Sequence, residues 1–168
     1  MRAVTSQVRD RVRAQMLDGP QSFSAAWASE RVVVAAAEVE DAEHDLILAA
    51  LAPSGEELLC LTTDVGCDSW TDHAVTAVPS EVRSWRTGFP ATDVLIARTD
   101  LSAAFLDTVD EFVLIAGSPE TVEEALGCTV EDARAEFVSY AQWMKGAARH
   151  LPEVARQYSL DAGPSLEQ

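Results

Sequence analysis

Five short apolar runs constrain this chain more than any other feature: residues 31–37, 45–51, 57–63, 92–97 and 111–116. Their apolar residues fall on consecutive positions, the pattern of strands buried on both faces, so the sheet they form needs helices over each side. None approaches the roughly 20 residues that cross a bilayer. The alanines of Val32-Val-Val-Ala-Ala-Ala37 leave the first run open between strand and helix. Pro53-Ser54-Gly55 has turn chemistry, which predicts an antiparallel hairpin of the second and third runs.

The remaining segments read as helices. Val4, Val8, Val12 and Met16 recur at i, i+4 and stop at Asp18-Gly19-Pro20, and Ser22 or Ser24 caps a short helix carrying Phe23 and Trp27. Pro79 to Arg86 forms another, ending near Gly88. Asp100 is read as the N-cap of a helix burying Leu101, Phe105, Leu106 and Val109, which makes residues 92–116 a parallel β-α-β crossover. Ser118 and Pro119 start a helix that Gly127 closes. Thr129 opens a long one, with Ala133, Phe137, Tyr140, Met144, Ala148 and Leu151 as its apolar stripe, ended or kinked before Pro152. A last helical piece covers residues 153–160.

The expected fold class is therefore α+β: a mixed five-stranded sheet, an antiparallel hairpin plus a β-α-β crossover, covered by helices and closed by a long C-terminal helix. One domain over residues 1–162 and a flexible tail at 163–168 complete the expectation. The order helix, three strands, helix, two strands, helix loosely resembles that of type III secretion chaperones, apart from the helix at 101–109, and no motif accompanies it.

Charge narrows the functions. Twelve Lys and Arg face 28 Asp and Glu, a net charge of −16. Phosphate backbones and anionic lipid surfaces are poor partners for such a chain, and a basic protein is a natural one. The surplus is also localised. Residues 32–82 hold no Lys or Arg but eleven acids, among them Glu38, Glu40, Asp41 and Glu43 in the link between the first two runs. Arg2, Arg9, Arg11 and Arg13 precede no apolar h-region or cleavage site, so no secretory signal is expected. Cys60, Cys67 and Cys128 form no CxxC pair and are expected as reduced thiols in a cytoplasmic protein.

Two segments concentrate candidate chemistry. Asp64, Asp68, Asp72 and His73 offer metal-ligating groups, with Cys67 between them, but the spacing matches neither an EF-hand nor a zinc motif. Ser84-Trp85-Arg86-Thr87-Gly88-Phe89-Pro90 gathers aromatics and arginines of the kind found at binding hot spots. The alternative there is that Trp85 packs inward and the arginines pair with the acidic block. No GxSxG elbow or glycine-rich phosphate loop occurs, and the acids of the would-be recognition helix at 131–136 would face phosphates with the wrong sign.

The sequence thus leads to a non-enzymatic, cofactor-free binding module, adaptor-like in the manner of immunity proteins, antitoxins or chaperones, that engages a basic partner. Its expected partner-binding residues are Glu38, Glu40, Asp41, Glu43, Asp64, Asp68, Trp70, Asp72, Trp85 and Arg86. The alternatives are a small metal-dependent enzyme or ligand binder using the Asp64–His73 loop, and a homo-oligomer built on the stripe of the 130–151 helix.

Overall fold

The computed structural model describes residues 1–63 and 73–159. Chain order is β1 (Arg2–Ala3), α1 (Ser6–Met16), β2 (Leu17–Gly19), β3 (Ser22–Phe23), α2 (Ala25–Ala28), β4 (Val32–Ala37), α3 (Asp41–Leu51), β5 (Leu58–Thr62), β6 (Ala74–Ala77) and α4 (Pro79–Arg86). There follow β7 (Val94–Arg98), β8 (Ala104–Asp107), β9 (Phe112–Gly117), α5 (Pro119–Leu126), α6 (Val130–Met144) and α7 (Leu151–Tyr158).

The α+β class is observed, but the sheet is larger than five strands and is not mixed. Seven strands lie in the order β1-β6-β5-β7-β8-β9-β4, every neighbouring pair antiparallel, and β2 and β3 form a separate ribbon. Alternate side chains of each long strand enter two different cores. Leu59, Leu61, Leu95, Leu106 and Leu114 pack with α1, α2, α7 and the later part of α6. Leu58, Cys60, Ile96, Phe105 and Ile115 pack with α3, α4 and α5. Two helical layers account for the unbroken apolar runs, because neither face of the central strands meets water.

The run at 45–51 is a helix, which removes the expected hairpin. Ile47, Leu48, Ala50 and Leu51 are buried, while Leu46, at 56% exposure, and Ala49 face out. The run looked strand-like because two outward positions carry apolar residues. Local chemistry favours the helix: the backbone N–H of Glu40 donates to the Glu43 carboxylate at 2.8 Å, and Asp41 and Glu43 occupy the positive first turn. At the other end Arg98 donates to the carbonyls of Leu51 (2.8 Å) and Ala50 (3.0 Å), a cation on the negative terminus.

The expected helix at 101–109 is instead a turn followed by β8, so there is no parallel crossover. The Asp100 carboxylate accepts from the backbone N–H (2.9 Å) and hydroxyl (2.7 Å) of Ser102, bonds that hold its pKa below the ordinary value. Leu101 takes a positive φ of 59°, which ends helical geometry at once. Asp100 therefore caps a hairpin between β7 and β8. Strand β6 is an addition, short and without a distinctive apolar run. The expected long helix stops at Met144, and α7 is a separate element. With these changes, the element order behind the likeness to secretion chaperones is not the observed one.

One placement governs the site. Ala133, near the start of α6, lies in the core beneath α3 and α5, whereas Phe137 and Ala141 lie in the opposite core. Helix α6 therefore passes around the outer edge of β4, the terminal strand, and Arg134 donates to the Val33 carbonyl there at 3.5 Å. The stripe Ala133, Phe137, Ala141 is committed to this packing.

Candidate functional site

A groove opens at the end of β4, lined by Ala36 and Ala37 of that strand and by residues of α3, α5 and α6. Its cavity is about 190 Å³, floored by Ile47, Ala125, Ala133 and Phe137, all buried. Glu38 follows β4, Glu43 projects from the first turn of α3 and Glu136 from α6. All three are exposed and border the opening, and no Lys or Arg is among its lining residues. The α5–α6 junction supplies Leu126 and Cys128, set by Gly127, whose φ of 69° ends α5 in the left-handed conformation.

The groove is electronegative. Burial, and then the charges of Glu136, Asp132 and Glu123, push the Cys128 thiol above its ordinary pKa. Burial, followed by Glu111 and Glu38, does the same to Tyr140, whose hydroxyl donates to the Glu111 carbonyl at 3.1 Å. Burial and negative neighbours thus disfavour the thiolate of Cys128, the nucleophilic form of that group. Cys60 is buried in β5, where desolvation pushes its thiol up to about 12. Tyr140 and Trp143 stand one turn apart on α6 with ring centroids 6.5 Å apart, and Trp143 is 80% exposed.

A second cleft lies across the Glu38–Glu40 link, bordered by Asp41, His44, Arg83, Arg86 and Asp107. Its arginines are matched internally. Arg83 bridges Asp45 (2.7 Å) and Asp41 (3.5 Å) and donates to the Asp41 carbonyl (2.8 Å). Arg86 binds Asp107 at 2.6 Å, the two side chains being 17% and 15% exposed, and also donates to the Phe89 carbonyl. Trp85, 5% exposed, donates to His73 Nδ1 at 3.1 Å and packs on Phe89 with ring centroids 5.2 Å apart.

The expected partner-binding residues thus separate. Glu38 and Glu43 meet at the groove, joined by Glu136, which sequence reasoning did not single out. Glu40 is exposed at the start of α3, and Asp41 is paired with Arg83. Trp85 is core, and Arg86 is committed to Asp107. Asp64, Asp68, Trp70 and Asp72, with Cys67, lie outside the described residues, as does the expected tail at 163–168. Of the metal candidates only His73 is placed, and among the described residues no cluster of three or more His, Cys, Asp or Glu is disposed to hold a metal. No helix among them is long and apolar enough to cross a membrane.

His44 yields a test of its own. Its ring meets Phe105 edge-on at 5.3 Å, and neither buried ring nitrogen has a hydrogen-bond partner. Desolvation lowers its pKa below 6.5; Asp107 and Asp45 oppose the shift, and Arg83 and Arg86 add to it. As pH falls through about 6.5 the unfolded chain takes up this proton before the native one does, so the shift costs the fold nothing above that pH and progressively more below it. Denaturant midpoints at about pH 7.5 and pH 5.5 are expected to fall less on acidification in His44→Gln than in the parent. Equal falls in both would mean that the native ring is as readily protonated as a free one.

Comparison with protein-family models, with curated proteins and with solved structures found no match.

Proposed function

We propose that this chain is an acidic, non-enzymatic protein-binding module, adaptor-like in the manner of immunity proteins, antitoxins or chaperones, that engages a basic partner at the groove between α3 and α6. The observation that carries this reading is the meeting of an apolar floor with Glu38, Glu43 and Glu136 at the rim and no cation in the lining. Charge elsewhere is partly matched by Arg2–Glu57, Arg83–Asp41 and Arg83–Asp45 pairs, whereas the rim presents negative charge outward. Apolar area supplies affinity, and complementary charge supplies steering and partner choice.

The test is recovery of a partner by the tagged chain. A basic protein bound at about 0.1 M salt and released near 1 M, where the Debye length falls to about 3 Å, is expected. Glu38→Lys combined with Glu136→Lys should abolish its capture, while Glu30→Lys combined with Glu153→Lys, the same charge change away from the groove, should not. A partner captured equally by both double variants, or held equally at both salt concentrations, would overturn the reading.

A further inference from the structure

We propose that the groove between α3 and α6 is a socket for a single arginine side chain of the basic partner, an inference that rests on the function proposed above. Size is the first argument. Pockets for cofactors and drug-sized ligands run from about 300 to 1,000 Å³, whereas this one measures about 190 Å³, room for one long side chain. The wall chemistry is the second. A side chain lying along the groove would rest its aliphatic stem on Ile47, Ala125 and Phe137 and bring its cationic head to Glu38, Glu43 and Glu136 at the rim. Long cationic side chains bind in this way, with the stem on apolar surface and the head among carboxylates and water.

Arginine fits better than lysine. A guanidinium is planar, stacks on aromatic faces and satisfies two carboxylates at once, whereas an ammonium is a strongly hydrated point charge. Tyr140 lines the groove and Trp143 follows it by one turn, so the aromatic surface lies on the α6 side of the socket. Glu136, Tyr140 and Trp143, at i, i+4 and i+7, share one face of that helix, which sets carboxylate and rings in a row. A small residue, Ala37, ends the strand and lines the groove.

The test is an NMR titration of the ¹⁵N-labelled chain with acetyl-arginine-methylamide, and with acetyl-lysine-methylamide as comparison. Millimolar binding of the arginine probe is expected, with shift changes centred on residues 36–39, 46, 125–128 and 140, and at least about threefold weaker binding of the lysine probe. Ala37→Leu, which fills the socket without changing charge, should reduce arginine binding about tenfold while leaving the rest of the spectrum in place. Glu38→Gln combined with Glu136→Gln should reduce it similarly at exposed positions that do not threaten the fold. Equal binding of the two probes, shifts spread over the whole acidic surface, or indifference to Ala37→Leu would overturn the arginine socket. So would groove shifts that grow with protein concentration in the absence of probe, which would assign the groove to a second copy. The two readings fail separately: a salt-sensitive partner that ignores Ala37→Leu sinks the socket alone, and a localised arginine titration without any such partner sinks the proposed function alone.

Discussion

Phe105→Ala is expected to lower the unfolding free energy by about 3–5 kcal/mol, the usual cost of emptying a fully buried aromatic site. Phe105 sits on β8, between β7 and β9, with no solvent exposure, and points into the core that α3 and α5 cover. Its ring also supports the edge of His44. A cavity here cannot be closed cheaply, because sheet neighbours on both sides fix the backbone and two helices roof the site. A typical domain has only about 5–15 kcal/mol in hand, so the variant will be markedly less stable. Urea unfolding followed by tryptophan fluorescence measures it, with a displaced midpoint and an unchanged slope expected. A loss below about 1 kcal/mol would mean that β8 does not hold this central position.

Arg86→Met is expected to cost about 3 kcal/mol, because it leaves the Asp107 carboxylate largely enclosed and without its cation. The methionine keeps an apolar stem, so the loss belongs to the ion pair and to the hydrogen bond that Arg86 donates to the Phe89 carbonyl. Asp107→Leu alone should be damaging for the mirror reason, since it strands the guanidinium between α4 and β8. The double variant should recover much of either loss, as enclosed ion pairs replaced by apolar pairs commonly do. Single losses of only a few tenths of a kcal/mol, typical of exposed pairs, would show that solvent reaches this bridge freely.

The sequence carried the helix boundaries well where local chemistry sets them. Ser24, Ser118 and Thr129 cap α2, α5 and α6 through their side-chain oxygens, and Pro79 opens α4. It misled wherever tertiary packing decides. Leu46 and Ala49 make α3 look like a strand, although both face outward. Leu101, Phe105, Leu106 and Val109 fall at helical spacing, yet Leu101 lies in a turn and Val109 is exposed, while Ala104, Phe105 and Leu106 alternate between two cores. The acids Glu38 and Glu43 were legible as charge, but their union with Glu136 depends on α6 wrapping the sheet, which no local pattern encodes. Trp85 and Arg86 form a recognition-like cluster in one dimension and interior contacts in three.

That wrapping has a consequence for how this molecule lives at high concentration. An open antiparallel sheet ends in two rows of unpaired backbone groups, each a template on which another chain can grow. Here one border is only two residues long and carries Arg2, and the other lies under α6 where Arg134 reaches Val33. Protection against runaway strand addition is therefore built into the architecture.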